Sequence, residues 1–111
     1  MTRTIAIAVL AAATALPAWA QGRDPNLARN LASNCANCHG TNGQAIAPMP
    51  MLAGQSKDFI VKNMRDFREG KRPATIMHQH AKGYTDEQIA LIAGYFSAVT
   101  PGRAAAAPAA R

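Results

Sequence analysis

An all-α domain is the fold class this sequence predicts, and three observations predict it. Apolar residues recur at helical spacing in three stretches, over residues 24–34, 56–69 and 85–99. No stretch alternates apolar and polar residues as a half-buried strand does. The connecting segments are rich in Gly and Pro, so they read as loops.

Ahead of the first helix stand a lone Arg3, an apolar run from Ile5 to Leu16, Pro17, and then Ala18-Trp19-Ala20. A charged start, an apolar middle and a small-x-small end predict a secretory signal peptide over residues 1–20, cut after Ala20. The competing reading is an uncleaved anchor, but a spanning helix needs about 20 apolar residues and this run is shorter. No later stretch is long and apolar enough to span, so a periplasmic protein with no membrane span after cleavage is expected. The domain then occupies residues 21–100, followed by an Ala/Pro tail, 101–111, expected to be disordered. Loss of Arg3 lowers the formal charge from +6 to +5. A domain of this size has a marginal core and usually needs a staple.

The first helix is expected over Asp24–Asn34, with Asp24 as N-cap, Pro25 at the first helical position, and Leu27 and Leu31 sharing a face. It runs straight into Cys35. Residues 40–54 carry Gly40, Asn42-Gly43, Pro48, Pro50 and Gly54 without periodicity, and read as a loop. Ser56 caps a second helix to about Glu69, with Ile60, Met64 and Phe67 on one face and Gly70 after its end. Residues 71–83, with Pro73, Met77, His78 and His80, read as a second loop. Thr85 and Gln88 form a capping box for the last helix, whose stripe is Ile89, Ile92, Phe96 and Val99. Pro101-Gly102 stops it.

The chemistry is concentrated in Cys35-Ala36-Asn37-Cys38-His39. Two cysteines three apart with a histidine directly after form the attachment pattern of a c-type haem. The step of three puts both thiols on one side of a helical turn, where they can add to the two vinyl groups of one porphyrin. The adjacent imidazole can then ligate the iron. Three other readings compete. A zinc site needs four ligands, and only His78 and His80 could complete one. A thioredoxin-type pair would sit by a βαβ pattern that is missing here. A disulfide between cysteines so close stabilises little. A buried, covalently held porphyrin would also supply the staple that a small domain needs.

For the other side of the iron the mature chain offers Met49, Met51, Met64, Met77, His78 and His80. Met64 lies on a helix stripe, where methionine is more often core filling. Met49 and Met51 follow His39 closely and are expected to pack on the porphyrin edge, and the two histidines are expected to be exposed. Lys57, Lys62, Arg65, Arg68, Lys71 and Arg72 cluster along the second helix and the loop after it. They read first as a solvated face with local pairs such as Asp58 with Lys62, and second as a docking surface for an acidic redox partner. An exported chain with its charge spread along one helix is not expected to bind nucleic acid.

A helix ending in Cys-x-x-Cys-His, then a Pro-containing loop, then a Met-bearing loop before a C-terminal helix resembles the class I cytochromes c. The resemblance covers about Asp24 to Val99. More locally the chain is similar to the cytochrome subunit of flavocytochrome c sulfide dehydrogenase and related small bacterial cytochromes. That similarity is carried by Leu52-Ala53-Gly54-Gln55, Asp66-Phe67-Arg68-Glu69-Gly70, Thr75-Ile76-Met77, Ala81-Lys82-Gly83-Tyr84-Thr85-Asp86-Glu87 and Ala93-Gly94-Tyr95-Phe96. Many relatives have two haem domains, whereas this chain has one attachment motif. The resemblance implies one covalent haem c, with His39 and Met77 as axial ligands and the Pro48 carbonyl accepting from the His39 ring. It implies an electron carrier and not an enzyme, with an FAD flavoprotein subunit as donor. The alternatives are a free shuttle to a terminal oxidase and a five-coordinate haem enzyme or sensor.

Overall fold

Each apolar stripe becomes a helix, and the last one is the spine. A computed structural model describes residues 24–103, so the expected signal peptide and the tail beyond Arg103 lie outside the described residues. Helix α1 spans Leu27–Ser33, α2 Ala36–His39, α3 Lys57–Arg68, α4 Met77–Lys82 and α5 Asp86–Ser97, with a 310 turn at Thr41–Gly43. The described residues contain no strand, so the all-α class expected from the sequence is the one observed.

Local chemistry sets the ends of these helices. Thr85 and Gln88 form both halves of the capping box, with Thr85 N donating to Gln88 Oε1 at 2.9 Å and Gln88 N to Thr85 Oγ1 at 3.2 Å. Ser56 Oγ accepts from Phe59 N at 3.2 Å and starts α3. At α1 the expectation fails. The Asp24 carboxylate accepts from Asn26 N, and the Asp24 carbonyl accepts from Leu27 N, each at 2.9 Å. Asp24 therefore caps a turn through Pro25 and Asn26, and the helix begins two residues later than expected, at Leu27 with Asn26 as N-cap. A second correction is α4, where a loop was expected. The segment is too short to show a period and starts at Ile76 without a side-chain cap, so it carries neither sequence signal.

Helix α5 packs against α1 on one flank and α3 on the other; α4 packs on α3, while α2 packs on α1 and the 310 turn. The core they enclose is small: Ala32, Ile60, Met64, Ala81, Ile89, Ile92, Ala93 and Phe96. Gly43 is required where the 310 turn meets this core. Its φ is 74°, and a Cβ there would lie 2.7 Å from the Phe96 ring. Pro101–Arg103, expected to begin a loose tail, form a turn tied back to Gln44, whose Oε1 accepts from Gly102 N at 2.7 Å.

Candidate functional site

The site is built from the α1–α2 junction. Cys35 N donates to Ala32 O at 3.0 Å and His39 N to Cys35 O at 2.9 Å, so one helical turn carries Cys35, Cys38 and His39. Cys35 packs against the core and Cys38 is exposed, and the two are not joined in a disulfide. Burial pushes the Cys35 thiol up, against a smaller lowering by a backbone hydrogen bond.

His39 is the buried polar residue of the described core, only 7% exposed. Its Nδ1 lies 2.8 Å from the carbonyl oxygen of Pro50. A carbonyl can only accept, so Nδ1 carries the proton and Nε2 keeps its lone pair for a metal. This corrects the expectation for Pro48: the carbonyl that holds the ring belongs to Pro50. Between the two prolines the backbone turns, with Met49 N donating to Ile46 O at 3.1 Å, and only the second carbonyl is brought to the imidazole.

Met77 is the first residue of α4, half-buried and packed against the core. His78 is half-buried, where exposure was expected, and His80 is exposed. Met49 and Met51 are exposed, and Met64 is buried in the core as its stripe position implied. Among the sulfur candidates Met77 alone pairs a core-facing position with a segment separate from α3. His39 lies on α2, which packs on α1, and Met77 lies on α4, which packs on α3; α1 and α3 both pack on α5. Among the described residues no three His, Cys, Asp or Glu side chains cluster as a metal-ion site, so the zinc reading has no ligand set.

The basic cluster is largely paired. Lys62 meets Asp66 at 2.5 Å, where Asp58 was expected; Arg68 meets Asp86 at 2.6 Å and Lys71 meets Glu69 at 2.5 Å. Arg72 bonds Asn63 and lies over the Phe67 ring. Hydrogen bonds from Lys62 and Arg68, followed by their charge, hold Asp66 and Asp86 below the usual carboxylate range. The solvated-face reading fits this pattern better than a free cationic surface.

The residues present fit a flat apolar group held by sulfur and nitrogen. Two thiols and an imidazole with a free Nε2 share one turn, and large apolar side chains are left open to water: Ile46 at 87%, with Phe59 and Ile76 half-exposed. The family model for cytochrome c matches residues 26–100. The chain belongs to the cytochrome c family. This cytochrome therefore carries covalent haem c, and its cysteines fit the attachment motif. It is 47% identical over 66 residues to the cytochrome subunit of sulfide dehydrogenase of Chlorobaculum tepidum, covering 60% of each chain. It is 43% identical over 67 residues to cytochrome c-554(548) of Halomonas halodenitrificans, covering 57% of this chain and 81% of that one. Among solved structures, cytochrome c4 of Acidithiobacillus ferrooxidans superposes with a TM-score of 0.60 at 32% identity, covering 66% of this chain and 50% of that one. The cytochrome thus spans 60% of the length of the first of these relatives and half of the c4 chain. No helix among the described residues is long and apolar enough to cross a membrane.

Proposed function

We propose that this cytochrome is an exported, periplasmic single-electron carrier and not an enzyme, with one haem in a domain over residues 21–100. Cys35 and Cys38 would hold the haem through thioethers, and His39 Nε2 and Met77 Sδ would ligate its iron. When bound, the haem supplies an iron that cycles between ferric and ferrous states. The protein's residues do the rest. Pro50 orients the His39 ring and raises its basicity through Nδ1. Met77 offers a soft thioether, which raises the potential relative to a second histidine. Ile60, Met64, Ile89 and Phe96 keep water from the ligands.

The observation that carries this reading is the His39–Pro50 hydrogen bond at 2.8 Å, which leaves Nε2 free on the turn that bears both thiols. The donor proposed is an FAD flavoprotein sulfide dehydrogenase subunit, supported by the similarity to a cytochrome subunit of that kind. A free shuttle to a terminal oxidase is the second reading, favoured by the 81% coverage of a small cytochrome. Two experiments test the proposal. Acid-acetone should fail to extract the haem, and mass spectrometry should find the chain from Gln21 plus one haem; extractable haem or a zinc adduct would end the haem-carrier reading. Rapid mixing with the reduced flavoprotein should reduce the cytochrome, and failure to do so favours the shuttle.

A further inference from the structure

The carbonyl that orients His39 sits in a lobe of chain, and the lobe has little structure of its own. Among the described residues, positions 45–51 make two hydrogen bonds: Met49 N to Ile46 O at 3.1 Å, and Pro50 O with the His39 ring at 2.8 Å. The lobe is fixed at its stem. Gly43 O accepts from Leu52 N at 2.9 Å and Ala53 N at 3.1 Å, and Gly54 N donates to Phe96 O at 2.9 Å. The first residue after Gly43 adds a clamp from far along the sequence. Gln44 Nε2 donates to Arg103 O at 3.0 Å, and Gln44 Oε1 accepts from Gly102 N at 2.7 Å.

We infer that Gln44 is a positioning residue for His39: by clamping the Gly102–Arg103 turn to the stem of the lobe, it fixes the Pro50 carbonyl against Nδ1. The inference rests on His39 as an axial ligand. Its physical content is an anchor at the base of the lobe. A primary amide has one donor edge and one acceptor edge in a single plane, so two opposed backbone groups hold it in one orientation. That orientation helps set where the chain leaves Gly43, and because the lobe has almost no bonds of its own, the position of the Pro50 carbonyl depends on how firmly the ends of the lobe are held. A firm hydrogen bond at Nδ1 makes the imidazole a stronger donor through Nε2 and favours ferric iron; a loose one raises the potential. The C-terminal turn thereby becomes part of the support of the iron ligand.

The test compares holo-protein carrying Gln44→Ala or Gln44→Glu with wild type. The measurements are the exchange rate of the His39 Nδ1 proton by NMR and the midpoint potential. Gln44→Ala is expected to exchange that proton roughly tenfold faster, the equivalent of about one hydrogen bond, and to have a higher potential. Gln44→Glu keeps the acceptor for Gly102 N and loses the donor, so it should fall between. Tyr95→Phe, which loosens a neighbouring contact, is the stability control and should leave the exchange rate within about twofold. Unchanged exchange and potential in Gln44→Ala, with only a lower melting temperature, would reduce Gln44 to a staple of the C-terminus and overturn the inference. Absence of any haem-shifted His39 signals in wild type would sink the ligand assignment itself, and the inference with it.

Discussion

The Tyr95 hydroxyl donates to the side-chain oxygen of Asn42 at 2.7 Å, joining the last helix to the turn that follows the haem motif. Asn42 has φ 56°, a conformation Asn tolerates better than most residues, so both its backbone and its side chain suit the position. Tyr95→Phe should cost about 1 kcal/mol in denaturant unfolding, the net worth of a partly buried hydrogen bond. Asn42→Gly keeps the backbone and removes the acceptor. A double-mutant cycle over the two should return a coupling of at least ~0.5 kcal/mol; additive effects would mean that the bond contributes nothing.

Gly43→Ala tests the close approach of the 310 turn to the apolar core. A methyl there meets the Phe96 ring at 2.7 Å and the Leu52 Cβ at 2.8 Å, on a backbone that disfavours side chains. Overpacking and strain together should destabilise the holo-protein by roughly 2–4 kcal/mol. Thermal melting monitored by circular dichroism measures this. Gly70→Ala, with nothing within 4 Å of its Cβ, should cost less, since it carries only the strain of its positive φ.

Met77 separates an electron carrier from a haem enzyme or sensor. Met77→Ala should abolish the weak far-red absorption of thioether-ligated ferric haem, lower the potential, and let carbon monoxide bind. Met64→Ala should keep the band and instead cost ~2–4 kcal/mol, as a core truncation does. Survival of the band in Met77→Ala, or ready binding of carbon monoxide by wild type, would reject the ligand assignment.

Acid should weaken the α3–α5 tie in a defined window. Arg68 holds Asp86 below its unfolded value, and Lys62 does the same for Asp66. A depressed carboxylate contributes stability above its unfolded pKa, about 4, and loses it as pH falls through the lower folded value. Neither group is shut off from water, so the effect is small and screened by salt. Asp86→Asn should flatten the acid limb of a stability profile at low salt, and about 1 M salt should erase most of the difference from wild type.

Much of this molecule could be read from its sequence, and what escaped has physical reasons. Three helices were legible because each has a stripe and two have caps formed by residues three apart, Ser56 with Phe59 and Thr85 with Gln88. The haem motif is contiguous and so fully visible. Pro50 was missed in favour of Pro48 because two prolines two residues apart give the same local signal, and only the path of the lobe distinguishes their carbonyls. Gln44 gave no signal at all: its partners, Gly102 and Arg103, lie 58 and 59 residues away. The short α4 carried no period, and the start of α1 was displaced by an aspartate that caps a turn as readily as a helix.

The alanines of the core have a consequence for how fast charge can move. Ala32 of α1 and Ala93 of α5 are almost wholly buried in the same cluster, on two helices that pack together. Side chains this short have no rotamers to change and let two helices pack closely. The frame beside the haem motif is therefore stiff, and a change of one unit charge at the iron finds few atoms free to move in answer. A low reorganisation energy would then depend on residues that never touch the iron. Ala93→Leu should slow electron self-exchange even where the potential stays put.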